Sequence, residues 1–355
     1  MLLVPRLRKF LQSLSLLVVS LFSISVMASQ TIVDQTGQKV VLPNHIQRAV
    51  ILEHHTLDVA VELGATSQIV GVVRNWQSLL GSDFARLAPQ ITRLPTPGDL
   101  TSVNLEELLS LHPDVVFMSN YAPEQMVKQV QSVGIPVVRM SFFVSNASQR
   151  TSFNPDIANG PKAYWQGMKQ GITLLGKIFG REKEANALEH QMDVTQHIIH
   201  SRIKDLSKAQ QTRLYMANPD MNTYGSGKFT GVMMAESGGF NVAHTIHGYG
   251  EVSMEQVLAW NPQVIFVQSR YRDIVPGIES DPAWQKIDAV KSHRLFISPE
   301  YVKPWGHPAP ESFILGELWM AKKLHPKLFA DVDLKQRVDE FYRQFYHTAY
   351  KPDLQ

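Results

Sequence analysis

The sequence predicts two α/β lobes, each on a mostly parallel, Rossmann-like sheet, joined by one long α-helix. Three observations carry that prediction. Residues 104–118, NLEELLSLHPDVVFM, recur without a gap as residues 253–267, SMEQVLAWNPQVIFV, 149 residues further on. Each copy reads as a short amphipathic helix, a proline that stops it, and an apolar β-branched strand. Strands alternate with helices of about ten residues in both halves, the pattern of helix-covered parallel sheets. Between the halves lies a long stretch of helical periodicity with no strand in it. Two lobes of similar build imply a cleft, and a cleft is where a ligand binds.

In order along the chain, residues 1–28 read as an export signal. Arg6, Arg8 and Lys9 precede an apolar run from Phe10 to Met27, and Val26-Met27-Ala28 supplies a cleavage site, so the mature protein begins near Ser29. The chain has no cysteine, which excludes disulfides, thiolate chemistry and a lipid-modified N-terminus. An exported, unlipidated, disulfide-free protein fits the periplasm. A net charge of +2 with 19% charged residues and no basic block argues against nucleic acid as a partner.

Residues 31–41 read as a hairpin turning at Asp34-Gln35-Thr36-Gly37. A strand over 48–52, a helix over 56–63 and a strand over 68–73 follow, then the first repeat, a helix over 123–133 and a strand over 135–140. Residues 145–161, rich in Ser, Asn, Pro and Gly, form a loop that ends the first lobe, assigned to residues 29–158. The linking helix, within 159–181, carries Trp165, Met168, Ile172, Leu175 and Phe179 on one stripe. Gly167, Gly171 and Gly176 weaken it unless they mark close packing. The second lobe, 182–355, opens with a helix over 182–206. It continues through a strand over 213–217, a helix over 231–236 ended by Gly238-Gly239, the second repeat, a helix over 282–290, a strand over 294–298, and helices from 311 to 350.

Several motifs, taken in order, resemble one family. They are Val33-Asp34-Gln35-Thr36-Gly37, Leu63-Gly64-Ala65 before Ile69-Val70-Gly71, both repeat copies, and Gly238-Gly239-Phe240-Asn241-Val242-Ala243. The mature chain resembles substrate-binding proteins of ABC importers, in the class whose lobes are joined by one long helix. That class serves ferric siderophores, haem, cobalamin and related metal complexes. The resemblance implies an inner-membrane ABC permease with its ATPase as partner. It also implies that Glu106 and Glu255, at the same position of the two repeats, dock into it.

Ligands in open α/β lobes meet the carboxyl ends of strands. That rule selects residues 53–56, 74–76, 119–121 and 142–143 in the first lobe, with His54, His55, Trp76 and Tyr121 as candidates, and residues 218–228, 244–249, 268–272 and 301–307 in the second, with Arg270, Arg272, Tyr301, Trp305 and His307. His54, His55, His244, His247 and His307 are candidates to complete a metal's coordination. Arg270 and Arg272 would neutralise an anion, while Trp76, Tyr121 and Trp305 offer stacking faces. No catalytic motif accompanies them, and no permanently bound cofactor is expected. The expected ligand is a metal complex such as an iron-siderophore chelate. A molybdate- or tungstate-like oxyanion on the same fold, and a chaperone for nickel, zinc or copper ions, are the alternatives.

Overall fold

The computed structural model describes residues 29–351 apart from residue 82, so the export signal expected over 1–28 lies outside the described residues. The strands are β1 (Ser29–Val33), β2 (Lys39–Pro43), β3 (Ala49–Ile51), β4 (Ile69–Val72), β5 (Val115–Ser119), β6 (Val137–Met140), β7 (Thr212–Ala217), β8 (Asn222–Tyr224), β9 (Gly239–Asn241), β10 (Tyr249–Glu251), β11 (Val264–Gln268) and β12 (Leu295–Ser298). The principal helices are α1 (His54–Glu62), α2 (Leu105–Ser110), α3 (Glu124–Ser132), α4 (Gly160–Phe179), α5 (Glu182–Ile203), α6 (Phe229–Glu236), α7 (Met254–Trp260), α8 (Glu317–Leu324) and α9 (Leu334–Phe345). The first lobe is a parallel sheet of order β4-β3-β5-β6 with the β1–β2 hairpin beside it. The second is a parallel sheet of order β12-β11-β7-β9, accompanied by an antiparallel ribbon of β8 and β10.

The repeated phrase folds as a repeated unit. Asn104 and Ser253 cap α2 and α7 by accepting the amide N–H of Glu107 and Gln256. The residue before each proline, His112 or Asn261, turns the chain in the left-handed region at φ 43° and 40°. The following strands, β5 and β11, are buried along their whole length as inner strands of their sheets. Two inner strands fed by the same turn give the lobes the same orientation towards the cleft.

Helix α4 joins them. Its 20 residues span about 30 Å. Two of the glycines that weaken its propensity, Gly167 and Gly171, sit where the first lobe presses on it, and Gly176 sits against Ala185 of α5. A Cβ on Gly167 would come within 2.2 Å of the Phe143 backbone, and one on Gly171 within 2.6 Å of the Phe142 ring. Close packing is therefore the reason for both. One continuous apolar core runs from Ile51 and Phe117 through Phe179 and Met168 on α4 to Phe229, Phe266 and Trp319 in the second lobe.

Three expectations differ in detail. Helix α1 begins at His54, two residues earlier than its apolar periodicity implies, because Glu53 caps it. The helix expected over 282–290 divides into a turn at Trp284–Lys286 and a short helix at Asp288–Lys291. Ile287 between them is extended and points its fully buried side chain into the core. The segment over 311–350 resolves into a wide turn at Ser312–Gly316 followed by α8 and α9.

A buried ionic cluster ties the lobes together. The Lys303 ammonium, 4% exposed, donates to both oxygens of Asp58 on α1 at 2.7 Å and contacts Glu311. The Tyr346 hydroxyl, from just beyond α9, bonds Asp58 at 3.2 Å and Glu62 at 3.3 Å. Burial works against the Lys303 charge, but Asp58 and Glu311 outweigh it and hold the ammonium above its ordinary pKa. Burial and the neighbouring carboxylates push Glu62 well up, and burial above all lifts Glu311 to about 7. The native state thus keeps protons that the unfolded chain releases above about pH 4.5. This contribution to stability is present in acid and is lost as pH rises through about 7.

Removing the ammonium leaves buried carboxylates uncompensated. Lys303→Met is expected to lower stability by about 3–5 kcal/mol in urea unfolding at neutral pH, with partial recovery near pH 5, where the acids are protonated. Glu311→Gln should flatten the decline in wild-type stability between about pH 4.5 and about pH 7, read by thermal unfolding.

Candidate functional site

The site is assembled from strand ends. Just beyond β3, the Glu53 carboxylate accepts the backbone N–H of His55 at 2.7 Å and of Thr56 at 2.6 Å, and the Thr56 hydroxyl at 2.7 Å. That cap fixes His54 and His55 in the first turn of α1, with ring centroids 4.0 Å apart. The segment after β12 supplies Trp305, 5.9 Å from the His55 ring, and His307, 5.4 Å from it. Tyr121, just beyond β5, lies 5.8 Å from His307, and Phe153 lies 5.0 Å from Tyr121 and 6.2 Å from His307. Arg270, just beyond β11, places its guanidinium 5.7 Å from the Trp305 ring and donates to Gln268 Oε1 at 2.9 Å. Residues of both lobes thus converge at the carboxyl ends of parallel strands, as the topology requires.

The charge pattern of this cleft is unusual. His54, His55 and His307 are all buried, and burial is the chief reason each is harder to protonate than free histidine. His54 falls to about 3, with Arg270 adding to the shift, and the other two fall well below 6.5. Three neutral imidazoles therefore line the cleft at physiological pH. His54 Nδ1, His55 Nδ1 and His307 Nε2 are buried with no hydrogen-bond partner among the described residues, and each such group can serve as an N–H donor to a ligand. Arg270 has no carboxylate partner among the described residues. The carboxylate of the cluster, Glu53, is raised to about 7 by burial, and both its oxygens are engaged by the helix cap.

Of the residues selected from sequence, His54, His55, Tyr121, Arg270, Trp305 and His307 come together here. Arg272 is half-buried two residues beyond Arg270 in the same turn. The others do not join the cluster. Trp76 is buried against Phe84 at 6.2 Å in the first lobe's core. Tyr301 packs on Tyr350 at 5.3 Å and lines a separate cavity of about 670 Å³ with Phe296 and Trp319, because the chain turns between Tyr301 and Trp305 through Lys303 at φ 43°. His244 meets the Phe240 ring in a tilted contact at 4.8 Å, and both His244 and His247 are exposed. Glu106 and Glu255 are exposed in the first turns of α2 and α7, one on each lobe. Sequence reasoning missed Phe153; Glu53 and Lys228 fell within the strand-end segments it selected, but no role was given to either. Glu53 carried a legible signal, a carboxylate three residues before the Thr56 amide that it caps.

A family model described as periplasmic binding protein matches residues 50–302. The chain belongs to the periplasmic binding protein family. It is a substrate-binding protein of the ABC-importer type with helix-linked lobes. It is 48% identical over 335 residues to the molybdate-binding protein MolA of Haemophilus influenzae, covering 94% of this chain and 95% of that one. The structure of that H. influenzae protein bound to molybdate superposes with a TM-score of 0.89, at 48% identity, over 91% of this chain and 100% of the other. A periplasmic solute-binding protein of Veillonella parvula matches at TM-score 0.74 and 26% identity, over 91% and 94%. These relatives are transport proteins, and among the described residues no helix is long and apolar enough to cross a membrane.

Glu53→Ala removes the cap that seats both histidines. It is expected to cost about 1–2 kcal/mol in urea unfolding, whereas Glu53→Gln, which keeps an acceptor, should cost less.

Proposed function

We propose that this protein is the periplasmic receptor for a tetrahedral molybdate- or tungstate-like oxyanion, held between Arg270 and the imidazoles of His54, His55 and His307. The observation that carries this reading is the pairing of a guanidinium that has no carboxylate partner among the described residues with three buried imidazole nitrogens that make no hydrogen bond there, although His54 Nδ1 lies 3.7 Å from Glu53 Oε1. Arginine and N–H donors are what a fully deprotonated oxyanion needs, since it offers acceptors alone. The kinship with a molybdate-binding protein supports the same ligand.

The expectation of a metal chelate gives way on two grounds. A relative sharing 48% of its sequence is named for molybdate, and the three histidines are only 4–7% exposed, which suits a small anion better than a bulky complex. The ion-chaperone alternative starts from Glu53, His54 and His55, whose ligand atoms lie within 4.8 Å of one another. Glu53, however, is committed to the cap, which leaves two adjacent imidazoles from α1 for a metal. The permease of an ABC importer is the expected partner, met through Glu106 and Glu255.

A dianion beside neutral imidazoles raises their pKa, so binding should take up protons, and more of them as pH falls. Protonation of Glu53 below about 7 removes an opposing charge. Molybdate affinity, measured by titration calorimetry, is therefore expected to rise about tenfold from about pH 8.5 to about pH 6; the opposite slope would refute the site. Arg270→Met should weaken binding by about a hundredfold. Glu106→Ala combined with Glu255→Ala should leave affinity intact while uptake in cells falls, and unchanged uptake would remove the docking assignment.

A further inference from the structure

Lys228 is a buried cation without a counter-ion among the described residues. It stands at the head of α6, is 2% exposed, donates its ammonium to the Phe153 carbonyl at 2.6 Å, and lies 3.7 Å over the Phe153 ring. An ammonium has three donors, and among the described residues no carboxylate pairs with this one. A buried charge is normally paired or neutralised. Burial does lower the Lys228 pKa, to about 8, but leaves it charged at neutral pH. Through Phe153 the ammonium backs directly onto the cleft, since the same ring meets Tyr121 and His307. The other buried lysine, Lys303, is already spent on Asp58 and Glu311.

The cleft therefore carries two positive charges that the protein itself does not balance, Arg270 and Lys228. Facing them are the neutral imidazoles of His54, His55 and His307, and Glu53, whose oxygens are held in the helix cap. We infer that Lys228 sets the charge preference of the site, making it a two-cation pocket that selects dianionic over monoanionic tetrahedral oxyanions. The inference rests on the oxyanion reading proposed above. Lys228 acts as a charge from behind the Phe153 ring, so it is a specificity-determining residue and no ligand contact is required of it. Lys228 and His307 are both buried, so the charge is weakly screened towards that imidazole, although the Phe153 ring that meets both is 49% exposed.

The test compares molybdate with perrhenate, tetrahedral oxyanions of similar size that differ by one charge, by calorimetry on the mature protein. The wild type should prefer molybdate by about a hundredfold. Lys228→Met should weaken molybdate by about tenfold and perrhenate by less than about threefold, narrowing the preference, while Lys228→Arg restores it. A purely structural role would weaken both anions alike, and that result overturns the inference. If Lys228→Met fails to fold, the wild-type preference measured from about pH 7.5 to about pH 9.5 decides instead. It should narrow as the ammonium deprotonates, and a constant ratio overturns the inference. Wild-type protein that binds neither anion overturns the oxyanion reading itself, whereas binding with an unaltered preference in Lys228→Met overturns only the role of Lys228.

Discussion

The Lys303 ammonium between Asp58 and Glu311 is the contact on which the site geometry depends. Asp58 lies one turn along α1 from His54, so the ion pair fixes the helix that carries both first-lobe histidines. Lys303 itself is two residues from Trp305 and four from His307, so the same pair fixes the segment that brings the second lobe's rings into the cleft. A salt bridge this deeply buried adds little net stability, because desolvation consumes most of its Coulomb energy. What it does provide is registry. Any relative shift of α1 and the 303–311 segment would part buried charges at high cost, so the two halves of the site keep their alignment.

The fold adds a second restraint of a different kind. Helix α4 bridges the lobes without a break, its glycines admit the first lobe's backbone to contact, and one apolar core continues from sheet to helix to sheet. Bending at α4 would have to open that core as well as the helix. Both restraints favour a modest change of inter-lobe angle on ligand binding, which matches the way the site is already formed, with rings of the two lobes 5.4 to 5.9 Å apart.

Much of this was legible in the sequence, for definable reasons. The repeat fixed the duplicate architecture because a helix, a proline and a buried strand leave a local pattern. The rule that ligands gather at the carboxyl ends of parallel strands then found His54, His55, Tyr121, Arg270, Trp305 and His307. The same rule over-selected Tyr301, His244, His247 and Trp76, because it specifies loops and not the direction in which a side chain leaves them. At Tyr301 a single left-handed residue, Lys303, reverses that direction. The contact between Phe153 and Lys228 was invisible for another reason. They meet across 75 residues of chain, and neither a phenylalanine in a polar loop nor a lysine after glycines announces its partner. The ionic cluster was hidden in the same way, since Lys303 and Asp58 meet across 245 residues of chain.

The electrostatic pattern makes sense as a division of labour. An anion receptor built only from cations would bind its ligand tightly but would carry a large desolvation penalty when empty, and would release poorly to a permease. In the site proposed for this protein, three of the groups that would face the ligand are imidazoles kept neutral by burial, which could donate hydrogen bonds without holding charge in the unliganded protein. Charge is confined to Arg270 and Lys228, each softened by an aromatic face, Trp305 and Phe153 respectively. The neutral donors then supply shape and direction, and the two cations supply the sign and magnitude of charge. On the proposed reading, charge is then what separates dianionic from monoanionic oxyanions of like geometry.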